Sequence, residues 1–361
     1  MMNQFRIGLI GLGGMAQEHI RWMNAENVYQ FVAVSDVNGE AVARVGDQLG
    51  IEDGKRYADF KDLIEDPDVD AVISVTPNNV HADIIRACLQ AGKPFLAEKP
   101  FTRVFEEAIP LLELYEKQPV QAMIGFTYRY TPAFRYAREL VRTGKLGTIR
   151  HFSIQYLQGF GVPSQQVPYM WRYNKAVTGT GTLGDLGSHM IDMARFLFGE
   201  FEEITAQLHT IIPERRDPVT GAMAKIEVDD FASFQARMTD GMMGVFQTSR
   251  NAFGSGNQHE VSIYGDHGTV HASTLDPERV IWIREEEPGQ LAKTTMEVPQ
   301  HCKVKQYADF AGLLRGTPAD GIPEFMDGYR NQEVLDAVVR AHETKAVVEL
   351  RNHGQRIQSK S

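Results

Sequence analysis

The chain has 361 residues, with 37 Lys and Arg against 47 Asp and Glu and a formal net charge of −10. That length suits two domains or one large one, and the acidic balance leaves no surplus basic face for a nucleic-acid backbone or an anionic membrane. Hydrophobic residues at 43% and charged residues at 23% give the composition of a folded globular chain, not a disordered one.

Phe5–Ile10 reads as a short apolar strand ending in glycines, followed by a helix over Met15–Ala25 and a strand over Tyr29–Asp36. A helix at Ala41–Leu49, a short strand near Tyr57, a buried-strand candidate at Ala71–Val75 and a helix at Val80–Ala91 continue the alternation. Gly92 stops that helix; a strand at Pro94–Ala97, a helix over 104–117 and a strand at Val120–Phe126 close the series. Alternating strands and helices predict βαβ units and a doubly wound parallel sheet of the Rossmann type.

After a helix at Pro132–Arg142 the pattern changes. β-rich runs lie near Gly147–Leu157, Phe201–Ile212, Asp229–Met238, Met242–Ser249, His259–Tyr264 and Val280–Arg284, with a hairpin signal at Asp240-Gly241. A helix over Leu186–Phe198, stopped by Gly199, interrupts them, and helices near Lys303–Leu314 and Asn331–Thr344 precede a polar tail near Asn352–Ser361. These runs predict an α+β second domain built on an open, mainly antiparallel sheet. The expected division is a dinucleotide-binding domain over 1–124 and a substrate-binding and oligomerisation domain over 125–361.

Two cysteines, Cys88 and Cys302, are too few for a disulfide framework or a cysteine-rich zinc site, and they fit a reducing compartment. The start, Met1-Met2-Asn3-Gln4-Phe5-Arg6, lacks the features of a secretory signal. The uncharged stretch Phe152–Trp171 contains four Gln, two Gly and two Pro, which makes a poor membrane span. A cytoplasmic protein is expected, with neither nucleic acid nor membrane as partner.

Gly11-Leu12-Gly13-Gly14-Met15-Ala16 is a Gly-x-Gly-x-x-Ala element that follows a strand and opens a helix. Gly11 permits the tight turn, Gly13 lets the backbone approach a pyrophosphate, and Ala16 lets helix and strand pack closely. The helix N-terminus offers unpaired N–H groups to the phosphates. Asp36 ends the second strand where this fingerprint wants an acid for the ribose hydroxyls, an arrangement that favours NAD and repels the 2′-phosphate of NADP. The alternative for Asp36 is a turn acid or cap. Thr76-Pro77-Asn78 follows the fourth strand, at the carboxyl edge where ligands of such sheets sit; an ordinary helix-start loop is the alternative.

Three further features carry chemistry. Glu98-Lys99-Pro100 follows the fifth strand, where a lysine would stabilise negative charge on a substrate oxygen. Trp171-Arg172 ends the uncharged stretch. Asp185 and His189 are four apart and share a helical face, which suits proton transfer from a hydroxyl. The alternative is that Asp185 is the N-cap of its helix and His189 a packed core histidine. No Cys or Glu has clear metal spacing to them, so no metal is expected.

Together these residues resemble the glucose–fructose oxidoreductase / inositol dehydrogenase / rhizopine catabolism (Gfo/Idh/MocA) family over nearly the whole chain. The resemblance runs from Gly8–Ala16 through Thr76-Pro77-Asn78, His81–Pro100, Gly125-Phe126, Arg129-Tyr130 and Lys145-Leu146-Gly147 to Asp185–Asp192, Gly265, Gly268-Thr269 and Pro323–Ala337. It implies that Lys99, Asp185 and His189 match the catalytic lysine, aspartate and histidine. It also implies that Asp192 holds the helix, that Trp171 and Arg172 border cofactor or substrate, and that the open sheet makes dimers or tetramers. Glu98 is then expected beside the cofactor and Arg129 among the substrate contacts. Thr178-Gly179-Thr180-Gly181 departs from the longer glycine run of many relatives, which bears on pocket shape.

The expected activity is NAD-dependent, reversible oxidation of a secondary ring hydroxyl of a cyclic polyol or sugar, as in an inositol dehydrogenase. The rivals are an NAD-dependent glycoside hydrolase of the same family and a non-enzymatic NAD-sensing regulator.

Overall fold

The computed structural model describes residues 4–350; the expected polar tail near Asn352–Ser361 lies outside the described residues. In chain order the first elements are β1 (Phe5–Ile10), α1 (Gly14–Asn24), β2 (Tyr29–Ser35), α2 (Gly39–Leu49), β3 (Arg56–Tyr57), α3 (Phe60–Glu65), β4 (Ala71–Ser74), α4 (His81–Ala91), β5 (Phe95–Ala97), α5 (Phe105–Lys117) and β6 (Ala122–Ile124). Then come α6 (Pro132–Arg142), β7 (Ile149–Leu157), α7 (Lys175–Thr178), α8 (Ser188–Phe198), β8 (Phe201–His209), β9 (Glu214–Arg216), β10 (Met223–Lys225), β11 (Phe231–Met238), β12 (Met243–Ser249), β13 (Gln258–Gly265), β14 (Gly268–Ser273), β15 (Asp276–Glu287), β16 (Gln290–Glu297), α9 (Gln306–Leu314), α10 (Phe325–Thr344) and β17 (Val348–Glu349).

The first sheet is parallel throughout, in the order β3-β2-β1-β4-β5-β6. The inner strands β4 and β5 and the edge strand β6 are buried at every position, as expected for strands covered on both faces. The order reverses between β1 and β4, which defines the crevice at the carboxyl edge.

The second sheet runs β16-β15-β14-β13-β7-β12-β11-β8-β17. Only the β7–β12 pair is parallel. One face packs against α6, α8 and the later part of α10 in a core that includes Phe134, Phe152, Met190, Phe246 and Val338. On the other face side chains such as Met243 and Val245 are exposed, alternating along β12 with buried Gly244 and Phe246. No helix among the described residues is long and apolar enough to cross a membrane, and Cys88 and Cys302 are free thiols.

The compact units do not follow one cut at residue 125. The described residues through Thr127 join Val304–Gln332 in the first unit; Tyr128–Lys303 and the described residues from Glu333 form the second. Aromatic packing explains the return of the chain. The Phe310 ring stacks on Tyr29, the Phe325 ring stacks on Tyr115 at 4.0 Å, and the Ile124 N–H donates to the Pro323 carbonyl. α3, the β9–β10 hairpin, β14 and β16 have no counterpart among the expected elements, and β15 and α10 extend beyond the expected runs. β16 lies at the sheet edge with every position at least partly exposed, so its sequence carries no strong apolar alternation.

Candidate active site

In the first unit, Gly11 takes φ +86, and a Cβ there would lie 2.6 Å from the Val75 carbonyl oxygen, so only glycine fits. Gly13 caps α1 without a side chain, and the space beside Gly13 and Gly14 is open. Ala16 is fully buried against the sheet, whereas Met15 is exposed. Asp36 Oδ2 accepts the Leu12 N–H at 2.7 Å and Oδ1 the Asn38 N–H at 2.8 Å. Asp36 therefore braces the glycine turn as a local cap, and each oxygen retains a lone pair for a hydroxyl. The turn, the bare helix end and the acid fit a dinucleotide.

The loops after β4 and β5 are tied together by His81, a residue missed as a site member. Its buried ring places Nδ1 2.7 Å from the Pro100 carbonyl and Nε2 2.9 Å from the Thr76 carbonyl, and burial lowers its pKa. Thr76 Oγ1 lies 3.3 Å from Ser74 Oγ, and Pro77 precedes a short turn over Asn78–Val80. The Lys99–Pro100 peptide is cis. Glu98 Oε1 lies 3.1 Å from His19 Nε2, and Oε2 accepts the Lys99 N–H at 3.2 Å. A carboxylate only accepts, so His19 Nε2 donates to it and, in the neutral ring, Nδ1 accepts the Tyr307 hydroxyl at 2.6 Å. Burial is the largest influence on Glu98 and opposes its ionisation, but the His19 hydrogen bond, the neighbouring positive charge and the Lys99 N–H together outweigh it and hold the carboxyl below its ordinary range. Glu98 thus braces the backbone of Lys99.

In the second unit, Leu183–Gly187 forms a π-helical turn that runs into α8. Asp185 lies inside this turn and Gly187 occupies the N-cap position, so the cap assignment for Asp185 does not hold. Arg250, just past β12, donates from Nη2 to Asp185 Oδ2 at 2.7 Å. The Arg250 side chain is 2% exposed and that of Asp185 is 31% exposed, so the carboxylate reaches solvent while its cation is buried. Arg250 Nε and Nη1 are also buried and have no partner among the described residues. Sequence reasoning missed Arg250 because a charge just beyond a strand reads as a solvated turn.

His189 is buried, with Tyr128 edge-on at 4.7 Å and Tyr156 at 6.0 Å between ring centroids. Asn257 locks those phenols in a ring of hydrogen bonds: Asn257 Nδ2 donates to the Tyr128 hydroxyl, Tyr128 to Tyr156, and Tyr156 to Asn257 Oδ1. Burial, then the Tyr128 contact, push the Tyr156 hydroxyl well up.

Two further expected positions, Arg129 and Trp171, also lie in the second unit. Arg129 is buried and bidentate to Asp192, through Nε at 2.9 Å and Nη2 at 2.6 Å. That geometry holds α8 to the turn at Thr127–Tyr130. Trp171 is 40% exposed with the Arg172 guanidinium 4.5 Å over its ring, a surface pair in the second unit.

The first unit is a nucleotide-binding Rossmann domain, and the second carries an acid–imidazole pair on an open-sheet scaffold; together they define an oxidoreductase class. Residues 5–126 match the oxidoreductase family with an NAD-binding Rossmann fold, and residues 134–271 match the GFO/IDH/MocA C-terminal domain. The chain belongs to the Gfo/Idh/MocA oxidoreductase family. It is 29% identical to levoglucosan dehydrogenase of Pseudarthrobacter phenanthrenivorans, covering 94% of this chain and 96% of the relative. It is 28% identical to myo-inositol 2-dehydrogenase of Thermotoga maritima, covering 76% and 77%. A solved structure of levoglucosan dehydrogenase in complex with NADH and levoglucosan matches with a TM-score of 0.89 and 28% identity, over 97% of this chain and 100% of that one.

Proposed function

We propose that this protein is an NAD-dependent dehydrogenase that oxidises a secondary ring hydroxyl of a cyclic sugar or polyol to a ketone, reversibly. The observation that carries this is the pairing of Asp185, held by buried Arg250, with His189 on the same helical segment. Similarity to levoglucosan dehydrogenase over most of both chains makes an anhydro-pyranose the first substrate to test.

Gly11, Gly13, Gly14, Met15 and Ala16 would hold the pyrophosphate at the start of α1, and Asp36 the adenosine ribose. Thr76, Pro77, Asn78, Glu98, Lys99, Trp171 and Arg172 would line the remainder of the cofactor. When bound, NAD supplies the hydride acceptor. His189 takes the hydroxyl proton, Asp185 orients substrate and imidazole, and the Lys99 ammonium stabilises the alkoxide-like oxygen. The active protein is a homodimer or homotetramer, closed through the open sheet face.

The test is a screen of levoglucosan, glucose and myo-inositol against the full chain with NAD and, separately, NADP, following absorbance of the reduced cofactor. Turnover of at least one ring substrate with preference for NAD is expected, and Lys99→Met should lower kcat by roughly 100- to 1000-fold. NAD binding without turnover of any ring substrate would overturn the assignment, as would preference for NADP.

A further inference from the structure

Away from the site already described, three side chains of different chemistry converge on the second unit. Glu139 projects from the last turn and a half of α6, and His301 and Cys302 are neighbours on the short turn Gln300–Cys302. One ligand atom from each lies within 4.8 Å of the others. His301 Nε2 and Cys302 Sγ both approach Glu139 Oε2, the sulfur at 3.6 Å. We propose that Glu139, His301 and Cys302 form a binding site for a thiophilic divalent cation, Zn2+ by preference, with its fourth position taken by water.

Several features support the assignment. A tetrahedral zinc with ligands at about 2.0–2.3 Å places its donor atoms roughly 3.3–3.8 Å apart, so the observed cluster needs only small side-chain adjustments. A thiolate, a carboxylate and a neutral imidazole cancel the charge of a dication. The mixed sulfur, nitrogen and oxygen set selects against Mg2+ and Ca2+, which want oxygen alone. Cys302 is buried at the floor while the His301 side chain is 65% exposed, so the site has an apolar base and an open mouth for entry and for a water. On binding, the Cys302 S–H bond breaks, its proton passes to solvent, and the S–metal bond forms; no redox change occurs. Ligation would pin the Gln300–Cys302 turn to α6 just before Val304, where the chain leaves the second unit. No spacing rule reveals this set, because Glu139 and His301 are 162 residues apart.

Co2+ is the probe, titrated into the full chain after chelator treatment under a non-thiol reductant. One Co2+ per chain is expected, with a near-ultraviolet thiolate-to-cobalt band that Zn2+ abolishes by displacement, since zinc binds such sites more tightly. Cys302→Ser should lose the band and Cys88→Ser should retain it. His301→Ala, at an exposed side chain that folding does not need, should weaken binding by more than the roughly 10- to 100-fold that loss of an outer partner costs. Absence of the thiolate band in the parent protein overturns the proposal, as does unchanged affinity in His301→Ala.

Discussion

A proton acceptor for a ring hydroxyl must change charge near neutral pH, and His189 is the imidazole that shares a helical segment with Asp185. His189→Ala should lower kcat by roughly 100- to 10,000-fold, and the acid limb of kcat/KM in the oxidation direction should vanish or move. A variant that retains both the rate and the limb would place the base elsewhere. Asp185 in turn depends on Arg250. Arg250→Met removes a charge-assisted hydrogen bond, and a loss of about 10- to 100-fold in kcat/KM is expected, with partial recovery in Arg250→Lys and little change in NAD affinity. His259 makes a prediction about stability. Both of its ring nitrogens are buried without a partner among the described residues, against Phe134, Tyr128 and Tyr156. Burial pushes its imidazole down to about 3, whereas in the unfolded chain it titrates near about 6.5. Between those values the unfolded state binds the extra proton, so stability falls as pH falls, by up to ~1.4 kcal/mol per pH unit. His259→Phe keeps an aromatic ring at the position and removes the nitrogens. Urea midpoints at pH 7 and pH 5 should therefore move less in the variant than in the parent; equal movement would acquit His259.

The element that presents Asp185 and leads into the helix of His189 is the π turn, and its geometry is imposed from the segment just before β11. Asp229 accepts the Gly181 N–H with Oδ1 and the Leu183 N–H with Oδ2, both at 2.7 Å. A Cβ on Gly181 would lie 1.8 Å from the Asp229 carbonyl oxygen, so the approach is open only to glycine. Asp229→Ala leaves two buried donors unsatisfied, and a loss of roughly 2–5 kcal/mol in urea unfolding is expected, together with a fall in kcat as Asp185 loses its setting. Unchanged kcat in the folded variant would show that the turn does not set Asp185. The same element marks where sequence reasoning stops. The β1–α1–β2 unit with Asp36 was readable because its glycines, helix start and acid follow one another in local register. Asp185 and His189 were readable as neighbours on a helix. The residues that hold them were not, since Arg250 reaches Asp185 from 65 residues away in sequence and Asp229 reaches Leu183 of the same turn from 46. The pairing of Arg129 with Asp192 was hidden for the same reason, because the carboxylate lies on another element, 63 residues away in sequence.

For the molecule as a whole, the exposed Met243 and Val245 on the open face of the nine-stranded sheet are poorly explained by a lone chain in water. Light scattering at micromolar concentration should give a multiple of 40.5 kDa, and a charge at Val245 should shift it toward the single-chain mass. A single-chain mass for the parent protein would refute assembly through this face. The return of Val304–Gln332 to the first unit has a consequence for biosynthesis. The ribosome delivers β1 through β6 early, yet Tyr307, which completes the buried hydrogen-bonded line to His19 and Glu98, is made only after most of the second unit. At about 5–20 residues per second, roughly 10–40 s separate Ile124 from Tyr307 at the exit tunnel. During that interval a nascent chain carries the glycine turn and Asp36 while Glu98 still lacks its finished brace. A nascent chain arrested before Tyr307 should therefore show a looser Glu98–Lys99 loop than the released protein, and the cofactor domain is completed late although it is translated first.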